Sequence, residues 1–190
     1  MFDWFTKDSD DAISQLKKDH DKVKDLFDQF EKTEGRAAKK KIVAQALAEL
    51  KIHATLEEDL FYPAVRKRVE TNIMNEADEE HHVAKVLIAE LEEMNGKGDH
   101  YDAKFVVLSE NVRHHIKEEE GEMLPKARRL PIDFEKLGRE MLRMRKQLMA
   151  KGVPPAAEAE MVAGHRRLAD SPAKAARKSL KPRPKKNKAA

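Results

Sequence analysis

The chain has 190 residues, 38% of them charged and 5% aromatic, with seven glycines and no cysteine. That length suffices for one ordinary domain with a real core, and the composition favours helices over a β-sandwich. The missing cysteine excludes disulfides, iron–sulfur clusters, thiolate zinc sites and cysteine nucleophiles, so any metal must be held by nitrogen and oxygen.

The net charge of +3 divides unevenly: residues 151–190 carry +8 and residues 1–150 carry −5, an acidic body with a basic tail. No apolar run approaches the roughly 18 residues of a membrane span. The start, Met1-Phe2-Asp3-Trp4-Phe5, lacks the basic and apolar regions of a signal peptide, so the expected location is the cytoplasm. Composition divides the chain into an N-terminal segment 1–8, a helical body 9–130, an additional helix 131–150 and a Lys/Ala/Pro-rich tail 151–190.

The Phe2-Trp4-Phe5 run is expected to cap one end of the body. The first helix is predicted from Ser9, as N-cap, to Glu34, with Gly35 as its stop. Its apolar stripe is Ile13, Leu16, Val23, Leu26, Phe27 and Phe30, and His20 falls on that stripe. The second starts near Ala37 with the stripe Ala46, Leu50, His53, Glu57, Leu60 and Ala64, and Pro63 should kink its final turns. The third, Thr71 to Asn95, carries Ile73, Ala77, His81, Ala84, Ile88 and Leu91. The fourth follows Asp99, which with Asp102 has the spacing of a capping box, and carries Tyr101, Phe105, Leu108, Val112, His115 and Glu119. A fifth, Asp133–Ala150, carries Leu137, Met141, Met144 and Leu148. The tail holds five prolines and few large apolar side chains, so it is expected to be disordered, with room for a short helix near Ala156–Leu168.

Four consecutive helices joined by short turns pack as antiparallel neighbours. The predicted fold is therefore all-α: an up-down-up-down four-helix bundle with a fifth, C-terminal helix and a disordered basic tail. In each of the four bundle helices a histidine stands on the buried stripe, and in two a glutamate stands there as well. The eleven residues from His53 to Pro63 and from His115 to Pro125 share the pattern H-x-x-x-E-E-x-x-x-x-P. His20 and His81 are each followed by apolar residues at the same four offsets, so the bundle reads as a repeated helix pair.

An i,i+4 spacing puts His and Glu on one helix face, about 5–6 Å apart at Cβ. Residues equidistant from an antiparallel turn sit side by side. His81 and His115 are centred on Gly98, and His20 and His53 next to Gly35, so each pair meets at one level. His53 and His81 are centred on Lys67, a few residues before the expected turn, with bending after Pro63 left to absorb the difference. Four imidazoles and two carboxylates then converge at one depth. Buried carboxylates require compensation, and a pair of divalent cations supplies it. Mixed imidazole and carboxylate ligation points to iron or manganese rather than calcium or magnesium. A ferritin-like site needs two E-x-x-H motifs, and only Glu79-x-x-His82 exists.

Lys18-Asp19-His20, His53-x-x-x-Glu57-Glu58 with Phe61-Tyr62-Pro63, Glu80-His81, and His115-x-x-x-Glu119-Glu120 with Leu124-Pro125 resemble the hemerythrin-like, or HHE cation-binding, family over roughly residues 10–130. The resemblance implies a non-haem di-iron centre with His20, His53, His81 and His115 as terminal ligands and Glu57 and Glu119 as bridges. Iron is the implied cofactor, with manganese or zinc as substitutes. Dioxygen, peroxide or nitric oxide are the implied small ligands. Oxygen-carrying members have a second histidine four residues after the third-helix ligand, where this chain has Lys85. They also place the fourth helix's carboxylate where this chain has Glu120, whereas the internal repeat favours Glu119. His82, Glu58, Glu120 or water are the candidates for the position that Lys85 leaves open. The departure argues for a redox, stress or sensing role rather than bulk oxygen transport. Tyr62 either reaches the site or only packs. The alternative is a metal- or oxygen-responsive regulatory module whose basic tail makes weak, salt-sensitive contact with a polyanion.

Overall fold

The computed structural model describes residues 11–169, and among them all regular structure is helical. Segment 1–8, with its aromatic run, and residues 170–190 of the tail lie outside the described residues. α1 spans Ala12–Lys32. α2 is built from Arg36–Leu56, a π-helical turn Glu57–Phe61 and a last α-helical turn Tyr62–Val65. α3 spans Thr71–Met94. α4 repeats the plan of α2, with Tyr101–Glu118, a π-helical turn Glu119–Met123 and a last turn Leu124–Arg128. α5 spans Phe134–Lys151 and α6 spans Ala157–Ala169.

The first four helices run up, down, up and down, and α5 packs across α1 and α2. The turn between α2 and α3 contains Arg66 to Arg68, so the midpoint at Lys67 falls inside it and the third level count agrees with the other two. Between α3 and α4 the chain reverses through Asn95 and Gly96, both with positive φ (49° and 76°). At Gly96 the positive φ is what calls for glycine, since the nearest atoms to an added Cβ belong to the flexible Lys40 side chain, which can move aside.

Two helix starts differ from expectation. α1 is capped by Asp11 rather than Ser9: the Asp11 carboxylate accepts hydrogen bonds from the backbone N–H groups of Ile13 (3.0 Å) and Ser14 (3.1 Å) and pairs with Arg128 (2.9 Å). Asp11 stands directly before the first apolar pair, where a cap can reach both orphan donors. At α4 the N-cap position is taken by His100 with no side-chain cap, and Asp102 pairs with Lys39 of α2 instead (2.9 Å).

The stretch from residue 151, expected to be disordered with room for a short helix near Ala156–Leu168, is ordered over its first part, where that helix stands. It forms α6, which packs on α3. Pro154 and Pro155 lie before the helix, which begins at Ala157. Glu158 then pairs with His82 (2.9 Å).

The bundle core is divided in two. One apolar cluster contains Ile13, Leu16, Leu56, Phe61, Val65, Met74, Met123 and Met141. The other contains Val23, Phe27, Phe30, Leu50, Ile88, Leu91, Phe105 and Leu108. Along α1 and α3 the two clusters lie on opposite sides of the histidine, so the polar level is sandwiched between apolar layers. Because α1 supplies both clusters, its cap affects the whole bundle. Asp11→Ala is expected to lower unfolding free energy by about 1–2 kcal/mol, as measured by chemical denaturation at constant metal content.

Candidate metal centre

Each bundle helix presents its polar side chains at one level for a local reason. In α2 and α4 the π-helical turn begins at the stripe glutamate. The backbone N–H of Tyr62 donates to the carbonyl of Glu57, and that of Leu124 to Glu119, one residue further back than in an α-helix. The widened turn comes just before Pro63 and Pro125, whose rings would otherwise press on the preceding turn. What was expected as a kink at Pro63 is thus a π-helical turn, and it occurs twice.

The structure brings all six candidate residues together. His20, His53, Glu57 and Glu119 are buried and offer one donor atom each, all within 4.8 Å of one another; Glu57, His81 and His115 do the same. His53 Nε2 and His81 Nε2 lie 3.2 and 3.3 Å from the same oxygen of Glu57. His20 Nε2 and His115 Nε2 lie 3.2 and 3.8 Å from the same oxygen of Glu119. Each carboxylate therefore touches one histidine of its own helix and one of another. Glu119, not Glu120, occupies the interior, as the internal repeat favours.

The outer nitrogens are held as consistently. His20 Nδ1–H donates to Glu120 (2.9 Å), His53 Nδ1–H to Asp19 (3.3 Å), His81 Nδ1–H to Glu58 (2.9 Å) and His115 Nδ1–H to Glu80 (2.7 Å). A carboxylate can only accept, so each Nδ1 carries the proton, and in the neutral ring the lone pair sits on the inward Nε2. This is the outer support that metal-binding histidines require. Glu58 and Glu120 are thereby accounted for: they orient imidazoles and do not complete the inner set. Lys85 pairs with Glu58 (2.6 Å), and Lys24, four residues after His20, lies 3.7 Å from Glu120. His82 is half exposed on α3, paired with Glu158, and does not reach the centre.

Tyr62 does reach it. Its hydroxyl lies 3.2 Å from His81 Nε2, 3.4 Å from Glu119 and 3.5 Å from Glu57. Burial first, then the two carboxylates, push its pKa well above the ordinary value, so it stays protonated as a donor. Burial by itself would lower the pKa of His53, but the charge of Glu57 and the hydrogen bond to Asp19 outweigh it and raise the pKa to about 10. At His81 burial is likewise outweighed, by Glu57 and Glu58, and the pKa rises to about 9. The same imidazoles overcome the burial of Glu57 and hold its carboxyl well below the usual range.

The donor set fits a metal. His20 Nε2, His53 Nε2, one oxygen of Glu57 and one of Glu119 are buried without a hydrogen-bond partner. Buried polar atoms left this way cost free energy unless something satisfies them. Four such atoms facing one another, on side chains whose outer ends are fixed, suit cation ligation better than a hydrogen-bond network.

Sequence reasoning quoted Asp19 and Glu80 as motif residues without giving them a task, and Arg145 went unnoticed. The signal was available: the acid just before the histidine in α1 and α3 holds the histidine of the next helix. Arg145 of α5 pairs with Asp19, a contact between elements that no periodicity within one helix announces.

A model of the family described as hemerythrin HHE cation binding domain matches residues 11–127. Among solved structures, a hemerythrin HHE cation binding domain-containing protein from Mycobacterium kansasii is similar at 24% identity with a TM-score of 0.62, covering 78% of this chain and 96% of that one. At that identity the likeness speaks to the fold. A search of curated proteins gives no match. No described helix is long and apolar enough to cross a membrane. The family pattern spans more than half of the chain and contains every residue of the centre, so this chain belongs to the hemerythrin HHE cation-binding family.

Proposed function

We propose that the chain is a non-haem di-iron protein whose centre binds or reacts with dioxygen, peroxide or nitric oxide, in a redox, stress or sensing role rather than bulk oxygen transport. One observation carries this reading: four imidazoles present Nε2 to a common interior point, each fixed from behind by a carboxylate, around two shared glutamates. In this reading His20 and His53 would hold one ion and His81 and His115 the other, with Glu57 and Glu119 as the carboxylate ligands.

Bound iron would supply a Lewis acid and a one-electron couple at each position. The chain does the rest. Glu57 and Glu119 bring two negative charges into an apolar surround and offset cationic charge there. The outer carboxylates Asp19, Glu58, Glu80 and Glu120 keep the rings from turning. Tyr62 offers a proton on the His81 side, where it can hydrogen-bond a small ligand or a carboxylate oxygen. Lys85 is tied to Glu58 and supplies no inner donor, so two imidazoles would serve each ion, and an exogenous ligand would complete its coordination.

Elemental analysis after anaerobic iron loading should give about two iron ions per chain, as a dinuclear site requires. Exposure to air should then produce oxo-bridged near-ultraviolet bands; less than about half an iron per chain would defeat the proposal. His53→Ala should lose at least one ion and most of the metal-dependent gain in melting temperature, which follows mass action on the folded state.

Proton competition gives a second check. Without metal, His53 and His81 hold protons in the folded state that the unfolded chain releases near 6.5. The stabilisation from those protons is complete below 6.5 and is lost as pH rises towards about 9 for His81 and about 10 for His53. Metal must displace them, so apparent affinity for zinc, used as a redox-silent probe, should climb through the same window, read by chelator competition. A flat profile would contradict the geometry.

A further inference from the structure

A second set of donor atoms stands outside the centre, on the surface between α3 and α4. His114 Nε2, one oxygen of Glu80 and one of Glu118 lie within 4.8 Å of one another. His114 Nε2 is 3.2 Å from Glu118, one turn further along α4, and 3.7 Å from Glu80 Oε1 of α3. Among the described residues no lysine or arginine pairs with any of the three. Glu80 is shared with the centre. Its Oε2 accepts the Nδ1–H of His115 at 2.7 Å, and its Oε1 is the atom near His114.

A cavity of about 140 Å³ joins this cluster to the centre. Glu80 and Glu118 line it, and so do His115 and Glu119. Glu119 is 1% exposed and keeps one oxygen without a hydrogen-bond partner. The exposed Glu76 and Glu122 complete five carboxylates, and no lysine or arginine is in the wall. Lys126 offsets Glu122 from 3.5 Å away. At roughly 30 Å³ per water the cavity has room for a few waters or a partly hydrated ion. It is smaller than the roughly 300 Å³ at which organic ligand sites begin. A cleft lined by one sign of charge concentrates the opposite ion and speeds its arrival. The wider cavity that opens onto all four imidazoles carries Lys51 and Lys85 in its wall, so a cation meets mixed charge there.

We propose that Glu80, His114 and Glu118 form an outer site for one divalent first-row transition ion, from which the ion passes through the acidic cavity to Glu119 and His115. This rests on the cation centre of the preceding section and adds the route by which it fills. One imidazole with two carboxylates suits zinc, iron(II) or manganese better than calcium or magnesium. Three exposed donors leave the remaining positions to water, so the ion is held weakly and can move on.

The test uses the full-length protein, freed of metal, with zinc as a redox-silent probe. Once elemental analysis shows the centre filled, isothermal titration calorimetry should find one further zinc per chain with a dissociation constant of about 1–100 µM. His114→Ala and, separately, Glu118→Gln should lose that further zinc. Both side chains are largely exposed, at 62% and 47%, so the bundle core is untouched. Both variants should also fill the centre at least about fivefold more slowly, read by stopped-flow mixing against a fluorescent zinc indicator, and reach the wild-type final content. Glu80 is left in place because it holds His115. Glu92→Gln removes one negative charge from the wall of the other cavity and should fill at the wild-type rate. No further zinc in wild type, its retention in both variants, filling of both at the wild-type rate, or equal slowing by Glu92→Gln would each overturn the proposal. Wild type that takes up no tightly held zinc condemns the centre and the route with it. Tight zinc acquired at an unchanged rate condemns the outer site alone.

Discussion

Two carboxylates in the middle of an apolar bundle are the constraint around which the rest of this structure is arranged. Glu57 and Glu119 are 0% and 1% exposed, with apolar clusters on either side of them. An unpaired carboxylate in such a place is costly, and removing one partner from a buried pair typically costs about 3–5 kcal/mol. Four imidazoles surround the pair, and protons shared with them are one way to balance the charge. The raised pKa values of His53 and His81 are the trace of that arrangement. It is a poor permanent solution, because it leaves inward donor atoms without hydrogen bonds. A site that is only partly satisfied by protons and well shaped for cations belongs to a cation-binding family for a physical reason, and the family match adds the name.

The internal repeat explains how a single chain builds so symmetric a centre. Within each helix pair, the acid before the first histidine holds the second: Asp19 with His53, Glu80 with His115. Across the pairs, the acid after the stripe glutamate holds the remaining histidine: Glu58 with His81, Glu120 with His20. Even the lysines follow, with Lys24 and Lys85 each beside one of these outer acids. Lys85 therefore stands where it does as half of a matched device, and the histidine that oxygen carriers have there would break the match.

The fold class and the inner six residues were legible because both rest on helical periodicity and on counting residues from turns. The level argument works whenever helices are antiparallel and straight, and it failed to close only at Lys67, where the turn comes earlier than the sequence suggested. Other features were not legible. The π-helical turns at Glu57 and Glu119 have no signature beyond a proline six residues on, which reads as easily as a kink. The capping of α1 by Asp11 turned on a choice between two good caps two residues apart. α6 was legible only as room for a short helix near Ala156–Leu168, because the composition around it is polar and proline-rich. What orders it is a surface to pack on, offered by α3, together with Glu158 placed against His82. Contacts between elements, such as Arg145 with Asp19, depend on how α5 crosses the bundle, and no window of sequence contains that information.

The symmetry is broken at one buried position, and the break gives the two halves of the centre different chemistry. Tyr62 and Leu124 occupy equivalent places, each directly after a π-helical turn and before a proline, and both are buried. Tyr62 sets a protonated hydroxyl 3.2 Å from His81 Nε2, whereas Leu124 offers only hydrocarbon. The donor atoms gather as four around His20 and His53 and as three around His81 and His115, although two imidazoles stand on each side, so imidazole count cannot distinguish them. A hydrogen-bond donor in a dry site can: it favours negative charge near His81 and His115 and leaves the His20 and His53 side without that help. A duplicated scaffold with one unduplicated hydroxyl thus places a single buried hydrogen-bond donor on one side of the cluster, and that asymmetry comes from the polar difference between Tyr62 and Leu124.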